Sequence, residues 1–309
     1  MMYLQHFGLR EAPFSITPDT AYFFSYGHYA DALNTLLVAL RSGEGFIKVT
    51  GEVGTGKTLL CRKLLNTMDK DFVSAYIPNP QLSPYGLQAG VAAELGIALS
   101  NRPYGHHQLQ KMITDRLIEL TSEGKKVVLC LDEAQAMPTE TLETLRLLTN
   151  LETEKYKLLQ VVLFGQPELD ERLNTRQVRQ LKQRITFSYR LEPIDREGLD
   201  SYVSHRLVVA GYQGGALFEH KAMRTLYKCS RGIPRLINIL SHKAMMAAYG
   251  RGDTTVDEQH MRLAVKDTED AQLAHPPRRR WPWWLAAVTV LVSVALFYWQ
   301  GNRLPGVSL

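Results

Sequence analysis

Eight residues, Gly51-Glu-Val-Gly54-Thr-Gly56-Lys57-Thr58, place three glycines, a lysine and a threonine at the spacing G-x-x-x-x-G-K-T. Glycines let successive backbone N–H groups turn toward one anion, and a helix starting there adds its positive end. In such a loop Lys57 reaches the β- and γ-phosphates of a nucleotide, and the Thr58 hydroxyl ligates Mg²⁺. Gly51, Val53, Gly54, Thr55, Gly56, Lys57, Thr58 and Leu59 are therefore the candidate ATP contacts. A second apolar run, KKVVLCL, ends in Asp132-Glu133. In a parallel sheet the strand C-termini open on one crevice, which brings Asp132 beside the metal and lets Glu133 polarise a water. A third run ends in Gln166, within LFGQPEL, where its amide could orient that water. Two arginines complete the set. Arg184, in RQLKQRITF, precedes a strand at a place from which it could reach a neighbouring subunit, with Arg176 and Arg179 nearby and Arg179 as the alternative. Arg235, in SRGIPRLIN, follows Pro234 at a helix entry and could bend back onto the phosphates.

These residues need an alternating frame. FIKVT runs into the glycine loop, and LLCRKLL after it has helical spacing. FVSAYIPN reads as a strand, Ser83 as the cap of a helix entered by Pro84, and 107–121 as a longer helix. KKVVLCLDE and KLLQVVLFGQ are apolar on alternate and intervening positions alike, as expected of strands buried on both faces. ITFSYRLEPI reads as the fifth strand. The expected fold is a P-loop α/β domain: a parallel sheet with helices on both faces, over 45–194, preceded by a packing segment, 1–44. Four helical segments separated by glycines then predict an all-α lid over 195–268.

The tail differs from the rest. After a polar, basic linker at 269–280, Trp283–Trp299 contains no charge and only Thr289 and Ser293 as polar members. As a helix it would be about 26 Å long, which Trp281 and Pro282 extend toward the roughly 30 Å of a hydrocarbon core. Tryptophans at both ends suit the interfaces, and three arginines precede the segment while one follows. The expectation is a transmembrane helix at 281–300, with the preceding domains in the cytoplasm and 301–309 as a short periplasmic tail. The N-terminus has no charged leader or apolar run, so no signal peptide is expected.

Composition bounds the partners. Of 36 lysines and arginines, four lie in 275–309, where there is no acid, so the rest of the chain nearly balances its 31 acids. A near-neutral body makes nucleic acid an unlikely partner. Cys61, Cys130 and Cys229 have no ligand spacing and fall in apolar stretches, which points to a reducing compartment.

In type and order these residues resemble the AAA+ ATPases: Walker A, Walker B, sensor 1 (Gln166), arginine finger (Arg184), and a lid bearing sensor 2 (Arg235). The flanks, YLQHFGLREAPFSITPDTAYFFSYGHYADALNTLLVAL, LLQVVLFGQPELDERL and GIPRLINILSHKAMMAAYG, are similar to the ExeA/GspA family of secretion ATPases, with its pilus-biogenesis branch as the nearest likeness. The resemblance implies ATP and Mg²⁺ as ligands, an ATP-dependent homo-oligomeric ring or partial ring, and pilus or secretion-assembly partners at the bacterial inner membrane. It also implies an N-terminal stretch near the nucleotide, making Phe7, Tyr22 and His28 candidates for the base pocket. The type member continues into a peptidoglycan-binding domain, for which 301–309 is too short, so direct cell-wall binding is not expected. Two other readings share the site: a DNA-targeting ATPase of the transposition or initiator kind, and a nucleotide-gated scaffold with little turnover. The neutral body and apolar tail weigh against the first, and an intact Glu133 weighs against the second.

Overall fold

The computed structural model describes residues 2–99, 104–152 and 157–272. Five strands, β1 (Phe46–Thr50), β2 (Phe72–Ile77), β3 (Lys126–Leu131), β4 (Gln160–Gly165) and β5 (Phe187–Arg190), form one sheet in the order β2-β3-β4-β1-β5. Every pairing is parallel. Register decides what meets at the C-terminal edge. Thr50 pairs with Gly165 and Leu131 with Leu163, so the segments following β1, β3 and β4 emerge side by side. The Gly51 N–H donates to Gly165 O at 3.2 Å, which joins the glycine loop to the end of β4.

The helices are α1 (Met2–His6), α2 (His28–Arg41), α3 (Lys57–Thr67), α4 (Pro84–Glu94), α5 (His106–Ser122), α6 (Thr139–Leu148), α7 (Glu168–Leu173), α8 (Arg179–Lys182), α9 (Arg196–Val209), α10 (His220–Ser230), α11 (Pro234–Arg251), α12 (Glu258–Lys266) and α13 (Glu269–Gln272). Strand side chains alternate between two apolar layers. Ile47, Val49, Val128, Cys130, Val162 and Phe164 face a core shared with α2 and α3. Phe46, Val127, Leu129, Leu131, Val161 and Leu163 face a second core made with α4, α5 and α6. Because both faces are covered, β3 and β4 are apolar at consecutive positions. β5 is an edge strand, largely exposed, and shorter than its β-rich sequence suggests.

The first core does not stop at the sheet. It runs through Phe14, Tyr22 and Phe23 into Leu199, Tyr202, Leu226 and Ile237 of the helices after β5. The segment between α1 and α2 is a strap over both parts. On one side Arg62 of α3 donates to Pro18 O at 3.0 Å; on the other, Asn238 of α11 donates to Ser15 O at 3.4 Å. Among the described residues no helix is long and apolar enough to cross a membrane. The span expected at 281–300 lies outside the described residues, as do 273–280 and 301–309.

The joint between sheet and helical part is tight. Ile194 N–H donates to Gly232 O at 2.9 Å, and Gly232 has φ +75°. A Cβ at 232 would lie 2.0 Å from Ile194 O, an overlap of backbone that no rotamer relieves. Gly232→Ala should therefore destabilise the fold by more than about 2 kcal/mol. Urea denaturation followed by circular dichroism checks this, and a midpoint equal to that of the unaltered chain would show that the joint yields.

Candidate active site

The loop between β1 and α3 is a cradle that only glycines fit. Gly54 and Gly56 adopt φ +81° and +92°. A Cβ on Gly51 would sit 2.8 Å from Leu191 O and 2.9 Å from Thr55 Oγ1, and one on Gly54 would sit 2.7 Å from Arg235 Cβ. Inside the curve Lys57 is buried, its Nζ donating to Gly51 O at 2.8 Å and Glu52 O at 2.9 Å. Burial lowers the proton affinity of its amine, while Glu133, Asp132, Glu52 and Glu168 raise it. The loop is braced from outside: Tyr29 of α2 donates from its hydroxyl to Thr55 O at 2.9 Å. The Arg235 N–H, an orphan donor at the start of α11, finds Gly54 O at 3.1 Å.

At the end of β3, Asp132 is buried and its carboxyl is pushed up by desolvation; hydrogen bonds from the Thr58 hydroxyl and the Glu133 N–H, and the Lys57 charge, act in the opposite sense. A hydroxyl and a carboxylate in contact beside a phosphate loop are hard oxygen donors of the kind Mg²⁺ prefers, so the residues present fit that ion. Glu133 has a left-handed backbone, φ 53° and ψ 38°, and its Oε2 accepts from Gln166 Nε2 at 3.2 Å and from Gln135 Nε2 at 2.5 Å.

Part of this set lines one cavity of about 250 Å³. Val53, Gly54, Gly56, Lys57, Thr58, Leu59, Glu133, Gln166 and Arg235 line it, together with Arg206. Gly51 and Thr55 shape the loop from behind, and Asp132 is reached through Thr58. Arg184 is not brought there. It lies just before β5, at the opposite end of the strands from the loop, and donates from Nη1 to Thr149 Oγ1 at 3.2 Å. Arg176 and Arg179 are exposed on the connection between α7 and β5.

The N-terminal candidates need revision. Phe7 is buried against the helical part, and Tyr22 donates its hydroxyl to Glu11 at 2.9 Å; neither lines the cavity. His28 lines a separate hollow with Tyr29 and Ile194. The cavity wall is instead Ser15–Asp19 of the strap. The strap is pinned by Arg206 of α9, a buried cation with no carboxylate partner among the described residues. Its Nε donates to Pro13 O at 2.5 Å, Nη2 to Ser15 O at 3.1 Å and Nη1 to Tyr202 Oη at 3.3 Å, with the Tyr22 ring 4.6 Å from the guanidinium. Tyr202 in turn donates to Asn238 Oδ1 at 3.0 Å. Sequence reasoning missed Arg206 because its partners are backbone carbonyls far away in the chain, which leave no local pattern.

Comparison with known proteins agrees with this geometry. Residues 40–173 match the family model described as AAA domain. Over 264 residues the chain is 44% identical to General secretion pathway protein A of Aeromonas hydrophila, covering 85% of this chain and 48% of that protein. The chain is an AAA-domain ATPase related to General secretion pathway protein A. It spans about half the length of that relative. Solved structures share the fold at low identity. Cdc6p of Pyrobaculum aerophilum gives a TM-score of 0.63 at 18% identity, covering 85% of this chain and 74% of that one. The ORC2 protein of Aeropyrum pernix, in ADPNP–ADP complexes, gives 0.58 at 19%, covering 82% and 72%. The RuvB branch-migration motor of Thermotoga maritima gives 0.53 at 15%, covering 79% and 70%.

Arg206→Met keeps the aliphatic bulk of this ATPase's strap anchor but removes its donors to Pro13 and Ser15. ATP affinity should fall about tenfold, equivalent to roughly 1.4 kcal/mol, as the cavity wall loosens. Titration with a fluorescent ATP analogue measures this; unchanged affinity would show that the strap takes no part in holding nucleotide.

Proposed function

We propose that this ATPase is tethered to the bacterial inner membrane and hydrolyses ATP to assist assembly of a type IV pilus or type II secretion complex. One observation supports the chemistry above all: Lys57, Thr58, Glu133, Gln166 and Arg235, from four separate segments, line a single cavity. The loop N–H groups and Lys57 would hold the phosphates, Lys57 exchanging its bonds to Gly51 O and Glu52 O for phosphate oxygens. Thr58 and Asp132 would hold Mg²⁺, which when bound neutralises charge on the phosphates. Glu133 would accept the proton of the attacking water, Gln166 would orient that water, and Arg235 would reach the phosphates from the lid side of the loop.

Arg184 has no route to its own cavity, which supports a role toward the site of a second copy. The charge that develops on the transferred phosphoryl group then meets a cation supplied in trans, a contribution worth about 10³–10⁵ in rate where it occurs. Assembly function rests on the 44% identical relative, whose name places it in general secretion. Membrane attachment rests on the uncharged run Trp283–Trp299 with arginines weighted to its N-terminal side, which supports a cytoplasmic ATPase and a periplasmic C-terminus. The near-neutral balance of the rest of the chain supports protein rather than nucleic-acid partners.

Two experiments test this. Arg184→Ala and Glu133→Gln should each bind ATP and hydrolyse it at no more than about a hundredth of the normal rate. Mixing the two should restore part of the activity, because some interfaces join an intact Glu133 to an intact Arg184. Co-assembly without recovery would assign Arg184 to its own chain or to no catalytic role, and Arg179→Ala would then be examined in the same way. For the tether, full-length protein should float with liposomes in a density gradient at high salt, and removal of 281–300 should abolish flotation. Equal flotation of both forms would locate membrane binding elsewhere.

A further inference from the structure

We infer that Gln135 is a positioning residue for the Glu133 carboxylate, a clip that joins the tips of β3 and β4 behind the cavity. The inference rests on the reading of Glu133 as the water-polarising group and extends it to the residue that aims it. Glu133 needs such a device. A left-handed backbone is costly for a residue with a side chain, and the conformation here is held by the turn, with Ala136 N–H on Glu133 O at 2.9 Å and Glu133 N–H on Asp132 Oδ1 at 3.0 Å. Those bonds hold the backbone and leave the side chain free to rotate.

Gln135 supplies the missing restraint at both ends of its amide. Its Nε2 donates to Glu133 Oε2 at 2.5 Å, and its Oε1 accepts the Gln166 backbone N–H at 3.0 Å. An amide presents one donor end and one acceptor end, so the Gln166 N–H determines that the donor end faces the carboxylate. Gln166 Nε2 adds a second bond to the same Oε2, at 3.2 Å. Both amides therefore engage one oxygen, and Oε1 of Glu133 has no protein donor among the described residues. The turn carrying the clip is itself anchored, since Arg172 of α7 donates to Gln135 O at 2.6 Å and also to Met137 O. Space is shaped to match: a Cβ on Gly165 would lie 3.3 Å from Gln135 Oε1. Glu133 and Gln166 line the cavity whereas Gln135 does not. Gln135 thus acts on the water through Glu133, without touching the reacting atoms.

The test uses the full chain at a concentration where activity per subunit has reached its plateau. Gln135→Met keeps length and removes both hydrogen bonds; Gln135→Glu keeps an acceptor for Gln166 N–H but turns an anion toward Glu133. Each should bind a fluorescent ATP analogue within about twofold of the unaltered protein, while single-turnover hydrolysis falls about ten- to a hundredfold. The decisive measurement is the double variant. On the Glu133→Gln background, with slow residual hydrolysis followed over hours by labelled ATP, Gln135→Met should cost no further activity, because its effect passes through a carboxylate already removed. A further loss as large as that of the single variant would mean a general structural role and overturn the inference. So would an unimpaired rate in either single variant, or a loss explained wholly by weaker ATP binding. Full activity of Glu133→Gln alone would instead remove the assignment of Glu133 itself, and the clip with it.

Discussion

The Gly54 carbonyl accepts the backbone N–H of Arg235, and much of the architecture follows from that 3.1 Å bond. It couples the phosphate loop to the first turn of α11, so the loop and the helical part cannot move independently at that point. The same helix carries Asn238, which reaches Ser15 of the strap and Tyr202 of α9. The bond also explains a glycine. With Arg235 Cβ only 2.7 Å from where a Cβ on Gly54 would stand, any larger residue would push α11 away. One residue thus serves two constraints, a left-handed turn around the phosphates and the close approach of a second structural unit.

The strap extends this coupling to the third wall of the cavity. Arg206 is a buried guanidinium bonded to neutral oxygens and stacked near an aromatic ring, and among the described residues no carboxylate pairs with it. Bonds from an ionised donor to carbonyls are stronger than neutral ones, which offsets part of the cost of burying the charge. Its rigidity matters for binding. A wall made from residues 15–19 has no helix or strand of its own beyond the short turn Thr20–Tyr22, so its place is set from outside, by α3, α9 and α11.

How much of this was legible in the sequence depends on whether each feature leaves a local signature. β1, β3 and β4 are legible because double burial writes itself as an unbroken apolar run, and the loop glycines because their geometry excludes other residues. The helices after β5 are legible from 3.6-residue spacing, punctuated by Gly211, Gly232 and Gly252, all with positive φ. Strand order is not, since it depends on which edges pair, and the placement of β3 between β2 and β4 leaves no trace in either strand's composition. Phe7 and Tyr22 look like base-pocket aromatics but serve the core, because an aromatic ring is as useful for filling space as for stacking on a ligand. Gln135 and Arg206 were invisible for a common reason. Each works by bonding to a backbone group distant in the chain, or to a side chain brought near only by the fold.

The charges around the loop bear on the proposal that a second copy completes the site. Lys57 sits among Glu133, Asp132, Glu52 and Glu168, all of which raise its proton affinity against the effect of burial. Locally, therefore, acids already outnumber the buried cation before any polyphosphate arrives. Bringing a polyanion into that neighbourhood requires further positive charge. The helix start at Lys57 and the loop N–H groups provide part of it, and Thr58 with Asp132 offers oxygen ligands for a divalent ion. Arg235 and Arg206 both line the cavity, Arg206 with its donors taken up by strap carbonyls, whereas Arg184 lies at the far end of the sheet. In the proposed function the additional cation, for charge that appears only during transfer, comes from Arg184 of a second copy. Under the proposed function, such a site binds nucleotide within one subunit and couples its turnover to the arrival of the next.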